Sequence, residues 1–292
     1  MRKCVVNNWA VLPSWILLDG PLRGWLQEDI GRGDRSSGPL CVEHDSWGKG
    51  HWVAKEAGVI AGLPVAERVF YLLDSRVRFE AQVKEGSQVI GGTVIALIEG
   101  PLDALLTGER VALNLAMRLS GVASLTRQYV EKIIDLPSQF VDTRKTTPGL
   151  RLLEKYASRV GGATNHRMGL DDGVMIKDNH SMAAGGIAAA IAQVRRAMPY
   201  PLTIEVETEN LAQVEEALAH GADIIMLDNM SLDRMHEAVQ LIRAQRPQVR
   251  IEASGNVTLE TIRAVAQTGV DYISSSAPIT RAAWLDLSMR LH

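Results

Sequence analysis

"LTIEVETENLAQVEEALAHGADIIMLDNMSLDRMHEAVQLIRAQ" occupies residues 202–245 and decides the fold of the larger part of the chain. Two short runs rich in branched side chains, "LTIEVET" and "ADIIMLDN", alternate with "NLAQVEEALAHG" and "SLDRMHEAVQLIRAQ", which place apolar residues at helical spacing. In the second helical stretch Leu232, Met235, Val239 and Ile242 stand at i, i+3, i+7 and i+10, which predicts one buried face. Gly221 stands where a C-terminal cap is expected. Strand and helix alternating at this interval require a parallel sheet with right-handed crossovers.

The rhythm continues in both directions. "QFVDTRK" and "GVMIKDN" precede the stretch as strands, and "VRIEASG" and "VDYISSS" follow it. "GGIAAAIAQVRRAM" and "LETIRAVAQTG" supply further helices, the last closed by Gly269. These strands read as apolar on both faces, as buried parallel strands do. The part before residue 100 has a different texture. "LLDGPLRGWLQEDIG" reads as a helix with Leu18, Leu22, Trp25 and Leu26 on one side, and "HWVAKEAGVIAGLPVAERVFYLL" as a strand, a Gly-Pro turn and a helix. "QVKEGSQVIGGTVIALIEG" reads as short strands, because no helix and no Lys-Ser/Thr pair follow its glycines as a phosphate loop requires. A long helix over "LDALLTGERVALNLAMRLSGVASLTRQYVEKII" carries an apolar stripe at Leu105, Val111, Leu115 and Leu119 and leaves the role of Arg110 open.

The bulk properties narrow the function. With 292 residues, 22% charged and a formal net charge of -3, the chain has no global basic field for nucleic acid. Cys4 and Cys41 are too few for a disulfide framework or a thiolate metal site, so a cytoplasmic location is expected. The opening residues, "MRKCVVNNWAVLPSWILL", read as a surface extension running into a helix and not as a signal peptide. No apolar run reaches the ~20 residues that span a bilayer.

Polar residues close the strands: Arg144 and Lys145, Lys177, Glu207, Asp228, Ser254, Ser275. In a β/α barrel, or in an open doubly wound sheet, these carboxyl ends share one site. Arg144, Lys145, His166, Arg167 and Lys177 in one pocket need an anionic ligand for compensation, and arginine matches carboxylate or phosphate with a planar fork. Glu207 and Asp228 suit Mg²⁺ held jointly with ligand oxygens, sugar hydroxyls, a positive centre, or simply the neighbouring lysines. "EASGN" (Glu252–Asn256) and "SSSAP" (Ser274–Pro278) are small enough to expose amides to a phosphate, and equally serve as turns.

"DTRKTTPGLR" (Asp142–Arg151), "GGATNHRMGLDDGVMIKDNH", "EVE" (Glu205–Glu207), "IMLDN" (Ile225–Asn229) and "EASGN", in this order, resemble the quinolinate phosphoribosyltransferase family. "EDIGRGD" (Glu28–Asp34) and "GERVALNLAMRLSGVAS" fit it too. The resemblance covers nearly the whole chain after residue 12. It implies an N-terminal α/β sandwich domain, over residues 12–118 with 280–292 as a candidate addition, and an incomplete, TIM-like α/β barrel over 119–279. It implies a homodimer at least, and the conversion of quinolinate and phosphoribosyl pyrophosphate to nicotinate mononucleotide, CO₂ and pyrophosphate in de novo NAD synthesis. Arg144, His166, Arg167 and Lys177 would hold the two quinolinate carboxylates, with Thr143 among the binding residues and Arg110 reaching in from the neighbouring subunit. Lys145, Glu207 and Asp228 would act catalytically on phosphoribosyl pyrophosphate, and Glu207 and Asp228 would meet its Mg²⁺. Ser254, Gly255 and Asn256, with Ser275, Ser276 and Ala277, would cradle phosphate. Asn256 and Ser276 stand where the family commonly has glycine. The rivals are a paralogous transferase acting on another base, a Schiff-base aldolase using Lys145 or Lys177, and a non-catalytic anion receptor. His180, Asp171, Asp172 and Asp178 are expected to serve structure.

Overall fold

The computed structural model describes residues 10–41 and 46–292. Cys4 and most of the expected N-terminal extension lie outside the described residues. The described chain divides into two compact units, one made of residues up to 127 with 147–162 and 281–292, the other of 128–146 with 163–280.

In the first unit, helix α1 (Trp15–Ile30) buries Leu18, Leu22 and Leu26, the i, i+4, i+8 face. A short α2 (Ser37–Leu40) follows. Strand β1 (Trp47–Ala54) buries alternate residues, as a strand with one covered face does. The pair β2 (Gly58–Val59) and β4 (Gln88–Val89) stands apart from the four-stranded antiparallel sheet. That sheet joins β1 with β3 (Arg78–Ala81), β5 (Val94–Pro101) and the C-terminal β12 (Leu287–Leu291), in the order β12-β1-β5-β3. Trp52 fills its buried side, edge-on to Phe79 at 5.3 Å and to Phe70 of α3 (Leu63–Leu73) at 6.2 Å. Helix α4 (Leu102–Lys132) buries Leu105, Val111, Leu115 and Leu119, the stripe that its sequence predicts. Helix α5 (Arg151–Gly161) carries Glu154, fully buried, which accepts Arg118 Nη2–H at 2.6 Å and Thr147 N–H at 2.8 Å. A buried carboxylate persists only with such partners.

The second unit is built on six parallel strands: β6 (Gln139–Val141), β7 (Val174–Ile176), β8 (Ile204–Thr208), β9 (Ile224–Asp228), β10 (Arg250–Ser254) and β11 (Tyr272–Ser274). Their order is β6-β11-β10-β9-β8-β7, the cyclic order of a barrel that lacks a ladder between β6 and β7. The crossovers are α6 (Asp178–Ala184), α7 (Ile187–Ala197), α8 (Leu211–Ala219), α9 (Leu232–Gln245) and α10 (Ile262–Gln267), with α11 (Ala277–Thr280) after β11. Met235, Val239 and Ile242 are buried on α9 as expected. Leu232 is not: it opens the helix behind the Ser231 cap, ahead of the packed stripe, and stays 45% exposed. Among the described residues no helix is long and apolar enough to cross a membrane.

Candidate active site

Parallel pairing sets the site. Glu207 lies opposite Met226, and Asp228 opposite Ser254, so alternate residues of neighbouring strands face one side. At the carboxyl ends this side opens into a cleft of about 510 Å³, lined by Thr143, Arg144, Lys145, His166, Arg167, Lys177, Glu207, Asp228, Ser254, Gly255 and Asn256. That volume is in the range of small-molecule sites. Of the expected residues, Ser275, Ser276 and Ala277 do not line the cleft, whereas Ser274 does. Ser275 Oγ instead accepts the Ala277 amide at 3.2 Å. Arg110 sits exposed on α4 in the first unit, in a hollow it shares with Asp34 and Thr107.

The cations are close together and only partly compensated. Burial holds the Arg167 guanidinium below its usual value, the charge of Arg144 adds to this, and Glu205 opposes it. Arg167 Nη1 donates to Gly173 O at 2.8 Å. Arg144 Nε is buried and has no hydrogen-bond partner. A buried donor left in this state is costly, and an acceptor entering the cleft relieves it. Lys177 Nζ lies 2.6 Å from Glu207 Oε2, so of the alternatives for Glu207 the pairing with lysine is realised in the ligand-free chain.

His166 is held from every side. Its backbone N–H donates to Asp142 Oδ1 at 2.9 Å, and Asp142 Oδ2 accepts from Asn165 at 2.6 Å. Its Nδ1 accepts the Arg167 amide at 2.7 Å. Its Nε2 faces Glu205 Oε2 at 3.1 Å and Glu252 Oε2 at 3.5 Å. Burial, reinforced by the charge of Glu205 and opposed by His166, pushes the Glu252 carboxyl up to about 8. The ligand atoms of these three residues converge within 4.8 Å, the one potential metal-holding group found among the described residues. His180 takes no part: its Nδ1 accepts the Lys177 amide at 3.0 Å at the start of α6. Asp172 closes a turn by accepting the Met168 amide at 2.8 Å, and Asp178 accepts the Asn179 amide.

The opposite wall is a hydrogen-bonded chain. Asn256 Nδ2 donates to Asn229 Oδ1 at 3.1 Å, and Asn229 Nδ2 to Asp228 Oδ2 at 2.7 Å. Asn229 and Asn256 adopt left-handed backbone, φ 52° and 51°, which asparagine tolerates better than most residues. Asparagine therefore meets the backbone demand at position 256, where the resemblance leads one to expect glycine. Gly255 has no such latitude, since at φ +97° a Cβ would overlap the Asn229 side chain.

Sequence reading missed Glu205, Glu252, Asn229, Met175, Met226 and Ser274. The signal for four of them was present: Met175, Glu205, Met226 and Glu252 each stand two positions before an expected site residue, and period two puts them on its side.

A parallel barrel sheet whose carboxyl-end rim gathers cations beside two carboxylates is the architecture of an enzyme for small anionic substrates. Residues 37–120 match the model of the quinolinate phosphoribosyl transferase N-terminal domain, and residues 122–290 that of its C-terminal domain. A probable nicotinate-nucleotide pyrophosphorylase (carboxylating) of Synechocystis is 60% identical, over 100% of this chain and 99% of its own. One of Bacillus subtilis is 45% identical, over 92% and 91%. The crystal structure of NadC from Streptococcus pyogenes superposes with a TM-score of 0.91 at 45% identity, covering 97% of this chain and 99% of that one. The chain belongs to the quinolinate phosphoribosyltransferase family, and the expected fold, a small sheet domain with an incomplete barrel, is the family's.

Proposed function

We propose that this chain converts quinolinate and phosphoribosyl pyrophosphate to nicotinate mononucleotide, CO₂ and pyrophosphate, in a reducing cytoplasm. The observation that carries the reading is the Arg144–Arg167 pair, two neighbouring guanidiniums, one with a buried Nε–H lacking an acceptor. A planar diacid answers both faults, because each carboxylate accepts a guanidinium fork. Lys177 adds a third cation once its bond to Glu207 is exchanged. Thr143 lines the same wall and orients Lys145 by accepting its amide at 3.1 Å. Arg110, exposed and absent from this cleft, is assigned to the cleft of a second subunit in a homodimer.

Glu207 and Asp228 fit Mg²⁺ bound to pyrophosphate oxygens. They close neighbouring strands, and their hydrogen bonds to Lys177 and Asn229 engage one oxygen of each. Bound there, the ion supplies charge stabilisation to the departing pyrophosphate. Lys145 adds a positive charge on the same side. As the ribose C1–O bond breaks, positive charge grows on the sugar, and Glu207 and Asp228 lie where they oppose its cost. Ser254, Gly255 and Asn256 offer amides and small side chains to phosphate, with Ser274 in place of the expected Ser275, Ser276 and Ala277 on the cleft wall. After transfer, the cationic ring nitrogen of the product pyridinium is the electron sink for loss of CO₂, so positioning is the main task of the protein. A Schiff-base aldolase would need a lysine free to attack a carbonyl, and Lys177 Nζ is held by Glu207 Oε2 at 2.6 Å.

The test is direct. Purified protein with Mg²⁺ and both substrates should release one CO₂ per nicotinate mononucleotide formed. Turnover of another pyridine or purine, with quinolinate inert, would replace this reading by the paralogue.

A further inference from the structure

On the reading of Arg144 and Arg167 as ligands of quinolinate, we propose that Asp142 is a positioning residue that fixes the separation of the two arginines, and through it the preference of the cleft for a diacid over a monoacid. The sheet has a gap at this point. Among the described residues β6 and β7 share no ladder. The edge of β6 is met instead through one isolated parallel bridge, Val141 to Thr164. The Thr164 amide donates to Phe140 O at 2.8 Å, and the Asp142 amide to Thr164 O at 3.3 Å. Side chains extend this short pairing at both ends. Thr164 Oγ1 donates to Gln139 Oε1 at 2.8 Å. At the end nearer the cleft, Asp142 Oδ1 accepts the His166 amide at 2.9 Å and Oδ2 the Asn165 side-chain amide at 2.6 Å.

The position of these bonds gives them their effect. Asp142 stands two residues before Arg144, and the backbone amide it holds belongs to the residue before Arg167. The two guanidiniums thus come off separate segments that one buried carboxyl group ties together. Their charges repel, so only the backbone can set their separation. A carboxyl group whose two oxygens each hold a different donor fixes both position and angle between the segments. Gly173 O sets the far end of Arg167 independently, accepting its Nη1–H at 2.8 Å. A fixed separation favours one ligand geometry. Two carboxylates on adjacent ring atoms each meet an arginine fork, whereas a single carboxylate meets one. Without the tie the repelled cations part, and the diacid loses its advantage while a monoacid loses little.

The test compares affinities for quinolinate and for the two pyridine monoacids that each keep one of its carboxylates. Quinolinate is measured by isothermal titration and the monoacids as competitors of it. Asp142→Ala should weaken quinolinate by about tenfold or more, while the inhibition constant of each monoacid stays within about threefold of wild type. A residue that serves stability alone would weaken all three ligands alike. That result, or an unchanged quinolinate affinity, overturns the proposal. Should the alanine variant not fold, Asp142→Asn carries the test. It keeps an acceptor for the His166 amide but turns a donor toward the Asn165 amide, so quinolinate alone should weaken by about threefold or more. Adding Asn165→Asp restores a donor and an acceptor and should return quinolinate to within about twofold of wild type. Equal quinolinate binding by Asp142→Asn and wild type would sink the idea too. Failure of the substrate reading would be seen separately, as a wild-type protein that binds quinolinate no better than the monoacids.

Discussion

Replacing Gly255 by alanine should separate the phosphate wall from the base pocket. At φ +97° a residue with a Cβ is strained by about 1–2 kcal/mol. The new methyl would also overlap the Asn229 side chain and come within 2.9 Å of its backbone nitrogen, so Asn229 must move. Its bonds to Asp228 and Asn256 would be lost, at about 0.5–1 kcal/mol each, since both are exposed to solvent. The total is roughly 2–4 kcal/mol, which for a chain of this size lowers Tm by about 3–7 °C. The functional signature is more specific than the thermal one. Asp228 loses the amide that orients it, so KM for phosphoribosyl pyrophosphate should rise about tenfold, with quinolinate binding by isothermal titration unchanged. A variant that melts within 1 °C of wild type with both constants unchanged would show that neither the strain nor the Asp228–Asn229–Asn256 chain matters.

Three other outcomes are expected. Arg144→Ala should abolish turnover yet leave Tm unchanged or slightly raised, because it removes the cation that crowds Arg167; a collapsed thermal transition would make Arg144 structural. Glu252→Gln should change the pH dependence of stability. The folded Glu252 carboxyl titrates near 8 against 4.5 when unperturbed, so the folded state favours its protonated form, and that contribution is full below pH 4.5 and lost as pH rises to about 8. The wild-type Tm should therefore fall relative to the glutamine variant across that window, and parallel curves would refute it. Asp228→Asn should weaken the Mg²⁺ dependence of turnover at least severalfold without altering quinolinate affinity, and equal Mg²⁺ titrations of the two proteins would remove Asp228 from the metal site.

Much of this was legible in the sequence because the barrel imposes two simple periods. Each predicted strand of the second unit forms, and its terminal polar residue reaches the cleft in every case but the last, where Ser274 and not Ser275 does, because parallel register leaves little freedom. Helix α5 carries an equally regular pattern, with Leu153, Tyr156, Ala157 and Val160 at i, i+3, i+4 and i+7, but it is short and set among glycines and basic residues that mask it. Glu205 and Glu252 were hidden for a physical reason. A buried carboxyl group is tolerated only with partners distant in sequence, here the His166 ring that both face, and no local pattern announces them. The exposed Leu232 shows the opposite limit, in which spacing is correct but the end of an element lies beyond its packing partner.

The Lys177–Glu207 bond has a thermodynamic corollary. Each group neutralises the other at 2.6 Å. A substrate carboxylate that takes Lys177 sets Glu207 free, and a divalent ion that takes Glu207 sets Lys177 free. Either arrival thus lowers the work of the next, and by linkage the favour is equal in both directions. On the proposed reading the pair acts as a latch that each ligand opens from its own side, coupling quinolinate to the metal-bound co-substrate through one broken bond.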